Sequence, residues 1–260
     1  MSVILKNIWY KYPLMQDWVL RDINLELDKG MTGILGPNGS GKTTLLHIIS
    51  GYLKPQKGEV IISGKKIKSL SDTVGKVIYV PQNAKLFLIG PTVRDDIERA
   101  INASENNSSA DEIMEIFHLT SLKEKKIYNI SEGERRLVAL ASAYAYQAEV
   151  YLLDEPSIGL DKRLRNAFLD AYSELSRKSI VIIATNDTRL IGRMDHLVIL
   201  NQGKVILEGP TREVVYEFPK IRGVEPNYIV KFVKEVLKYY KLRKVVLPSE
   251  LAVELARLMR

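Results

Sequence analysis

The chain has 260 residues, 46% hydrophobic and 27% charged, an ordinary globular composition that can bury a sizeable core as one large domain, with or without an appendage. With no cysteine, disulfides and thiolate metal sites are excluded, and His47, His118 and His196 are too scattered to form a metal cluster, so a metal is expected only together with a nucleotide. The formal net charge is +7, and nowhere do about 18 consecutive apolar residues occur, which excludes a membrane-spanning helix.

In chain order, Val3 to Tyr12 and Ile23 to Leu27 alternate and read as strands. Thr32 to Leu35 reads as a third strand leading into a glycine-rich loop, with a helix over Thr43 to Ser50. Val60 to Ile67 predicts a hairpin turning at Ser63-Gly64, and Lys76 to Val80 another short strand. From Thr92 to Gln147 the signals are mostly helical, broken by the polar run Asn102 to Ser109, which reads as a mobile loop. Strand Val150 to Leu153, helix Lys162 to Arg177 and strands Ile180 to Ala184 and Leu197 to Leu200 follow. Beyond Gly209 the chain is helical, with Pro248 separating two periodic segments. The expected fold is α/β, with a mostly parallel sheet covered by helices on both faces and an antiparallel β patch. A helical insert at about 84–147 and a C-terminal helical extension at 211–260 complete it, leaving 1–210 as the main domain.

Gly36 to Thr43 (GPNGSGKT) matches the phosphate-loop pattern between a predicted strand and a predicted helix, so the fold is expected to be a P-loop NTPase. Its glycines let backbone N–H groups curl around phosphate oxygens at a helix N-terminus. The expected nucleotide contacts are Gly36, Pro37, Asn38, Gly39, Ser40, Gly41, Lys42, Thr43 and Thr44. Lys42 would reach the β- and γ-phosphates and the Thr43 hydroxyl would ligate Mg2+. Val150 to Pro156 (VYLLDEP) supplies the acidic partner: Asp154 to hold Mg2+ and Glu155 to polarise the attacking water as general base.

These residues, in this order, resemble the ATPases of ABC (ATP-binding cassette) transporters across about Val3 to Gly209. The resemblance implies that Tyr12 stacks on adenine, with neighbouring Tyr10 as the alternative ring. It makes Gln82 the Q-loop glutamine, which senses Mg2+ and the γ-phosphate and links the core to the helical insert. Ile130 to Arg136 (ISEGERR) takes the place of the family signature, so Ser131 and Gly133 would contact the ATP of the opposite subunit; the same stretch also reads as a helix N-cap. Asp161, in a segment resembling the D-loop, would lie at the subunit interface and can cap the next helix as well.

Two positions depart from the family pattern. Glu132 replaces the first signature glycine, and its carboxylate should repel a triphosphate unless it turns away. Asn186 stands where the family carries a switch histidine; it can donate a neutral hydrogen bond but supplies no charge. His196 comes too late in the chain to replace it and reads as structural. Both departures point towards weakened or asymmetric hydrolysis.

Leu86 to Ile97 is similar to the segment after the Q-loop in energy-coupling-factor importers, and Gly209 to Glu213 resembles the start of their dimerising extension. That resemblance implies an ATP-hydrolysing importer subunit using ATP and Mg2+. Its partners would be a membrane-embedded transporter subunit and a second ABC ATPase subunit, homo- or heterodimeric. A nearly inactive half of an asymmetric heterodimer is the alternative. The chain is expected in the cytoplasm, peripheral on the cytoplasmic face of the cell membrane. Residues 211–260 hold eleven Lys or Arg against six Asp or Glu, including the run Lys238 to Lys244. Such a tail could face an anionic membrane or nucleic acid, but it also reads as a solvated helix face, and no nucleic acid partner is expected.

Overall fold

The computed structural model describes residues 1–104, 107–218, 228–238 and 243–258. The loop at Asn102 to Ser109 and the basic run Lys238 to Lys244 therefore fall partly outside the described residues.

Two sheets organise the chain. Strands β1 (Ser2–Tyr10) and β2 (Leu20–Asp28) pair antiparallel, and β3 (Gly30–Leu35) starts the second sheet. After helix α1 (Lys42–Ile49), β4 (Lys57–Ile62) and β5 (Lys65–Ile67) join the first sheet in the order β2-β1-β4-β5. Their hairpin turns at Ser63 and Gly64, both at positive φ, as the residue pair predicts. Strand β6 (Val77–Val80) is followed by helices α2 (Val93–Asn102), α3 (Ala110–Ile116) and α4 (Glu132–Ala145). Then come β7 (Val150–Asp154), α5 (Lys162–Leu175), β8 (Ile180–Thr185), β9 (His196–Asn201) and β10 (Lys204–Pro210). The second sheet runs β10-β9-β3-β8-β7-β6, parallel throughout except for the β9–β10 hairpin. Helices α6 (Thr211–Glu217), α7 (Tyr228–Val236) and α8 (Pro248–Leu258) end the described chain.

Strands β7 and β8 are buried along their whole length, as their unbroken apolar runs require in a sheet covered on both faces. Alternate residues divide the core. Met31, Leu35, Tyr151, Leu153, Val181 and Ile183 pack on the side of α4 and α5. Ile34, Val150, Leu152, Ile180, Ile182 and Ala184 pack against α1 and the antiparallel sheet.

Three details differ from the sequence reading. Strand β1 stops at Tyr10, so Tyr12 lies in the following loop. Asn7 and Asp22, both at positive φ, mark irregular register between β1 and β2, which restores Ile8 and Ile23 to the buried face. Strand β10 was not expected at all, although Gln202-Gly203 makes a positive-φ turn between two apolar segments.

The insert is fastened by a buried carboxylate. Asp96, on α2, accepts the N–H groups of Ile89 and Gly90 at 2.8 and 2.7 Å and the Ser142 hydroxyl of α4 at 2.6 Å. Thus the loop after Gln82 is tied to two helices at one point. At the other end, the Tyr216 hydroxyl on α6 donates to the Val245 carbonyl at 2.6 Å, and Arg212 pairs with Glu250 of α8. Replacing Asp96 with alanine strands three donors in the core; the expected loss, read by denaturant unfolding, is about 2–4 kcal/mol. Ser142→Ala removes a single donor and should cost about 1 kcal/mol in the same assay.

Candidate nucleotide-binding site

Four parallel strand ends converge on one cleft. Leu35 pairs with Thr185, Asp154 with Ala184 and Val80 with Leu153, so the segments leaving β3, β8, β7 and β6 emerge side by side. Ligand sites of open α/β sheets form at such carboxyl edges. The cleft has a volume of about 760 Å³ and is lined by Asn38, Gly39, Gly41, Lys42, Thr43, Thr44, Gln82, Asp154, Glu155 and Asn186 among others.

The phosphate loop turns from β3 into α1, whose first N–H groups have no intrahelical acceptor. Gly41 holds φ +105°, and a Cβ there would sit 2.7 Å from Leu20 Cδ2, so the loop admits only glycine at this point. Lys42 is buried and folds back over the loop. Its Nζ donates to the Gly36 carbonyl at 2.7 Å and the Pro37 carbonyl at 3.3 Å, and lies 3.8 Å from Glu155 Oε1. Burial pushes the ammonium pKa down, while Glu155 and Asp154 pull it back up. The Ser40 hydroxyl, also within the loop, is buried without a partner among the described residues.

Thr43 Oγ1 donates to Asp154 Oδ2 at 2.7 Å, and the Tyr79 hydroxyl reaches the same oxygen at 3.4 Å. Asp154 Oδ1 is buried and has no hydrogen-bond partner among the described residues. An orphaned carboxylate oxygen beside a threonine hydroxyl is a hard-oxygen donor set, the kind that suits Mg2+. No cluster of His, Cys, Asp and Glu among the described residues could hold a metal by itself.

Glu155 follows with φ +47°, a conformation disfavoured for a residue with a Cβ. Its N–H donates to the Ala184 carbonyl at 2.8 Å. Oε2 accepts the Thr185 hydroxyl at 2.8 Å and Oε1 accepts the Asn186 N–H at 3.1 Å. Burial raises the Glu155 carboxyl pKa against the pull of Thr185 and Lys42, and burial raises Asp154 likewise. A carboxylate with raised proton affinity, held at both oxygens, is equipped to accept a proton from water. The Asn186 side chain itself donates to Asn38 Oδ1 of the phosphate loop at 3.4 Å.

At the open end Tyr12 lines the cleft and its hydroxyl meets Thr44 Oγ1 at 3.1 Å. Tyr10 is 6% exposed and packs edge-on against Tyr12 with ring centroids 5.1 Å apart, so the alternative ring belongs to the core. The sequence reading missed Met15, Asp17, Trp18, Val19, Arg21 and Gln202, which also line the cleft. The Arg21 N–H donates to the Gly203 carbonyl at 2.7 Å and the Gly203 N–H to the Ser40 carbonyl at 3.0 Å, which together bring Gln202 there, and no local motif signals it.

Ser131, Gly133 and Asp161 lie outside this cleft. Ser131 caps α4 in a reciprocal box with Glu134, and Asp161 caps α5 by accepting the Leu164 N–H at 2.9 Å. Gly133 packs so closely on the loop at Gly159 that a Cβ would fall 2.5 Å from the Gly159 carbonyl. Glu132 turns back along α4 to within 3.7 Å of Arg136, which takes its carboxylate off the helix tip.

The family model for ABC transporters matches residues 20–158. The energy-coupling factor transporter ATP-binding protein EcfA of Methanocaldococcus jannaschii is 33% identical over 229 residues, spanning 84% of this chain and 82% of that protein. Its namesake from Methanothermobacter thermautotrophicus is 33% identical over 230 residues, 84% of this chain and 74% of that protein. Among solved structures, cbiO1 from Clostridium perfringens, part of the ABC transporter complex cbiONQ, superposes with a TM-score of 0.72 at 26% identity. That match covers 91% of this chain and 98% of cbiO1. A dimeric ATP-binding cassette solved in a post-hydrolysis state with ADP and phosphate gives 0.72 at 25% identity, over 80% of this chain and 98% of that one. With the phosphate loop, the two carboxylates and the strand order all in place, this chain belongs to the ABC transporter ATP-binding family and is an ATPase of that family.

Proposed function

We propose that the chain is the ATP-hydrolysing subunit of an energy-coupling-factor-type importer, working as one half of a two-cassette sandwich. The observation that carries this reading is a division of parts. The residues suited to hold a nucleotide and deprotonate water share one cleft, whereas Ser131, Gly133 and Asp161 stand outside it on helix N-termini. A second cassette facing the first would bring its own Ser131 and Gly133 to the open side of the phosphate loop. The similarity to EcfA proteins and to cbiO1 supports the transporter class.

In this reading Tyr12 stacks on the base, Gly36 to Thr44 cradle the phosphates, and Lys42 exchanges its two loop carbonyls for phosphate oxygens. Thr43, Asp154 and Gln82 would hold Mg2+, which when bound neutralises charge on the β- and γ-phosphate oxygens. Glu155 takes the proton of the attacking water. Asn186 orients Glu155 through its main chain and reaches the phosphate loop through its amide. No helix among the described residues is long and apolar enough to cross a membrane. By its similarity to EcfA proteins and cbiO1, the chain in this reading acts beside a membrane-embedded partner, on the cytoplasmic face where ATP is present, and passes its motion through the loop after Gln82.

Lys42→Ala removes the only cation on the phosphates named above and should weaken MgATP binding by at least about tenfold, measured by calorimetry. Glu155→Gln should retain binding, slow turnover by about 10²-fold or more, and accumulate as an ATP-bound dimer in size-exclusion chromatography. A Glu155→Gln chain that stays monomeric with MgATP would remove the sandwich. Tight binding with no turnover by the unaltered chain would replace it with an asymmetric pair.

A further inference from the structure

One buried cation is not used by the reading above. Arg136, on the second turn of α4, is 2% exposed, yet its guanidinium pairs with no buried acid. Nη1 donates to the Glu155 carbonyl at 3.1 Å and Nη2 donates to the Gln82 carbonyl at 2.6 Å. The planar fork therefore bridges the chain leaving β7 to the chain leaving β6. Its only ion pair within 4 Å among the described residues is with Glu132, one turn earlier on α4, whose side chain is 75% exposed. Nε is buried without a partner among the described residues.

Each contact falls on a sensitive point. Glu155 sits at φ +47°, so its main chain needs outside support; Ala184 holds the N–H side and Arg136 holds the carbonyl side. Gln82 has an exposed side chain at the end of β6, and the Arg136 bond fixes the main chain that aims it. The same helix begins with Ser131 and Gly133, and Gly133 packs directly on the loop at Gly159. Any shift of α4 thus reaches Glu155 and Gln82 through one rigid side chain.

We propose that Arg136 is a positioning residue for hydrolysis, which sets the main chain of Glu155 and Gln82 in its own site and is itself drawn upon by Glu132, on the helix tip facing a second cassette. The inference rests on the paired reading above. Glu132 then has a task where the family signature has glycine. A triphosphate lying against Ser131 and Gly133 repels the Glu132 carboxylate and presses it further onto the guanidinium it already faces at 3.7 Å, the one that holds Glu155 and Gln82 of the same chain. Lysine in place of Arg136 keeps the charge but cannot span two carbonyls with a planar fork.

The test measures kcat at saturating MgATP, the MgATP dissociation constant and the Hill coefficient separately, in the full chain. Arg136→Lys should lower kcat by about tenfold or more through misplacement of the base, with the dissociation constant within about threefold of the original. Thermal unfolding with and without MgATP shows whether that variant is folded and loaded. Glu132→Gln changes a mostly exposed side chain and leaves both main-chain bonds of Arg136 in place; it should keep the unfolding midpoint within a few degrees and bring the Hill coefficient towards one. Unchanged kcat in Arg136→Lys, or an unchanged Hill coefficient in Glu132→Gln, overturns the proposal. Should Arg136→Lys fail to fold, the Glu132→Gln result decides alone. If turnover by the unaltered chain shows no cooperativity and no dependence on protein concentration, the paired reading fails and the link to Glu132 with it. Arg136→Lys then decides the positioning role by itself.

Discussion

Everything at this site depends on burying one ammonium with two carboxylates. Lys42, Asp154 and Glu155 are 6%, 2% and 7% exposed, and three charges out of water are tolerable only where each has partners. The fold supplies them from strand ends: carbonyls of the phosphate loop for Lys42, the Thr43 hydroxyl for Asp154, the Thr185 hydroxyl and Asn186 N–H for Glu155. The three by themselves carry one negative charge in excess, the Arg136 guanidinium lies behind Glu155 on main-chain carbonyls, and Asp154 Oδ1 has no hydrogen-bond partner among the described residues. Desolvation accordingly raises both acids. In the proposed reading a cation delivered with a nucleotide would relieve that imbalance, and the loop N–H groups would take the phosphates that accompany it. The parallel register of β3, β8, β7 and β6 is what makes the arrangement possible, because it alone brings segments more than a hundred residues apart to one edge.

Much of this was legible in the sequence because it is local. The phosphate loop declares itself in eight residues between a strand and a helix, and an apolar strand ending in Asp154-Glu155 needs no long-range information. The ring at the cleft was harder. Tyr10 and Tyr12 share a face in an uninterrupted strand, so alternation cannot choose between them; the end of β1 at Tyr10 makes the choice. The walls at Trp18, Arg21 and Gln202 were out of reach, because a loop, the start of β2 and a hairpin turn of the other sheet meet there only through long-range contacts. Strand β10 was readable and missed: its residues are half-exposed in alternation, which weakens the apolar signal that marked its neighbours.

The position of Glu132 shows how a substitution that looks hostile in one dimension resolves in three. Sequence alone predicts a carboxylate aimed at a triphosphate. A helical i,i+4 relation to Arg136 gives it somewhere else to go, and the buried guanidinium gains a counter-charge at little cost because Glu132 remains mostly in water. Neither half of that pair is intelligible without the other. Their spacing is in the sequence, but the carbonyls that make Arg136 worth burying are not.

Asn186 poses the complementary problem, and the geometry separates two tasks that a histidine there would combine. Orientation of the proposed base does not depend on the side chain at this position. The Asn186 N–H makes that contact, Thr185 holds the other carboxylate oxygen, and Ala184 holds the Glu155 main chain. What asparagine forgoes is a charge near the γ-phosphate, while its amide still reaches Asn38. The expected consequence is slower stabilisation of the departing phosphate with the water-activating apparatus intact. In the proposed reading such an ATPase would lose rate rather than the reaction, since the groups proposed to position and deprotonate water come from the strand ends and not from the side chain that differs.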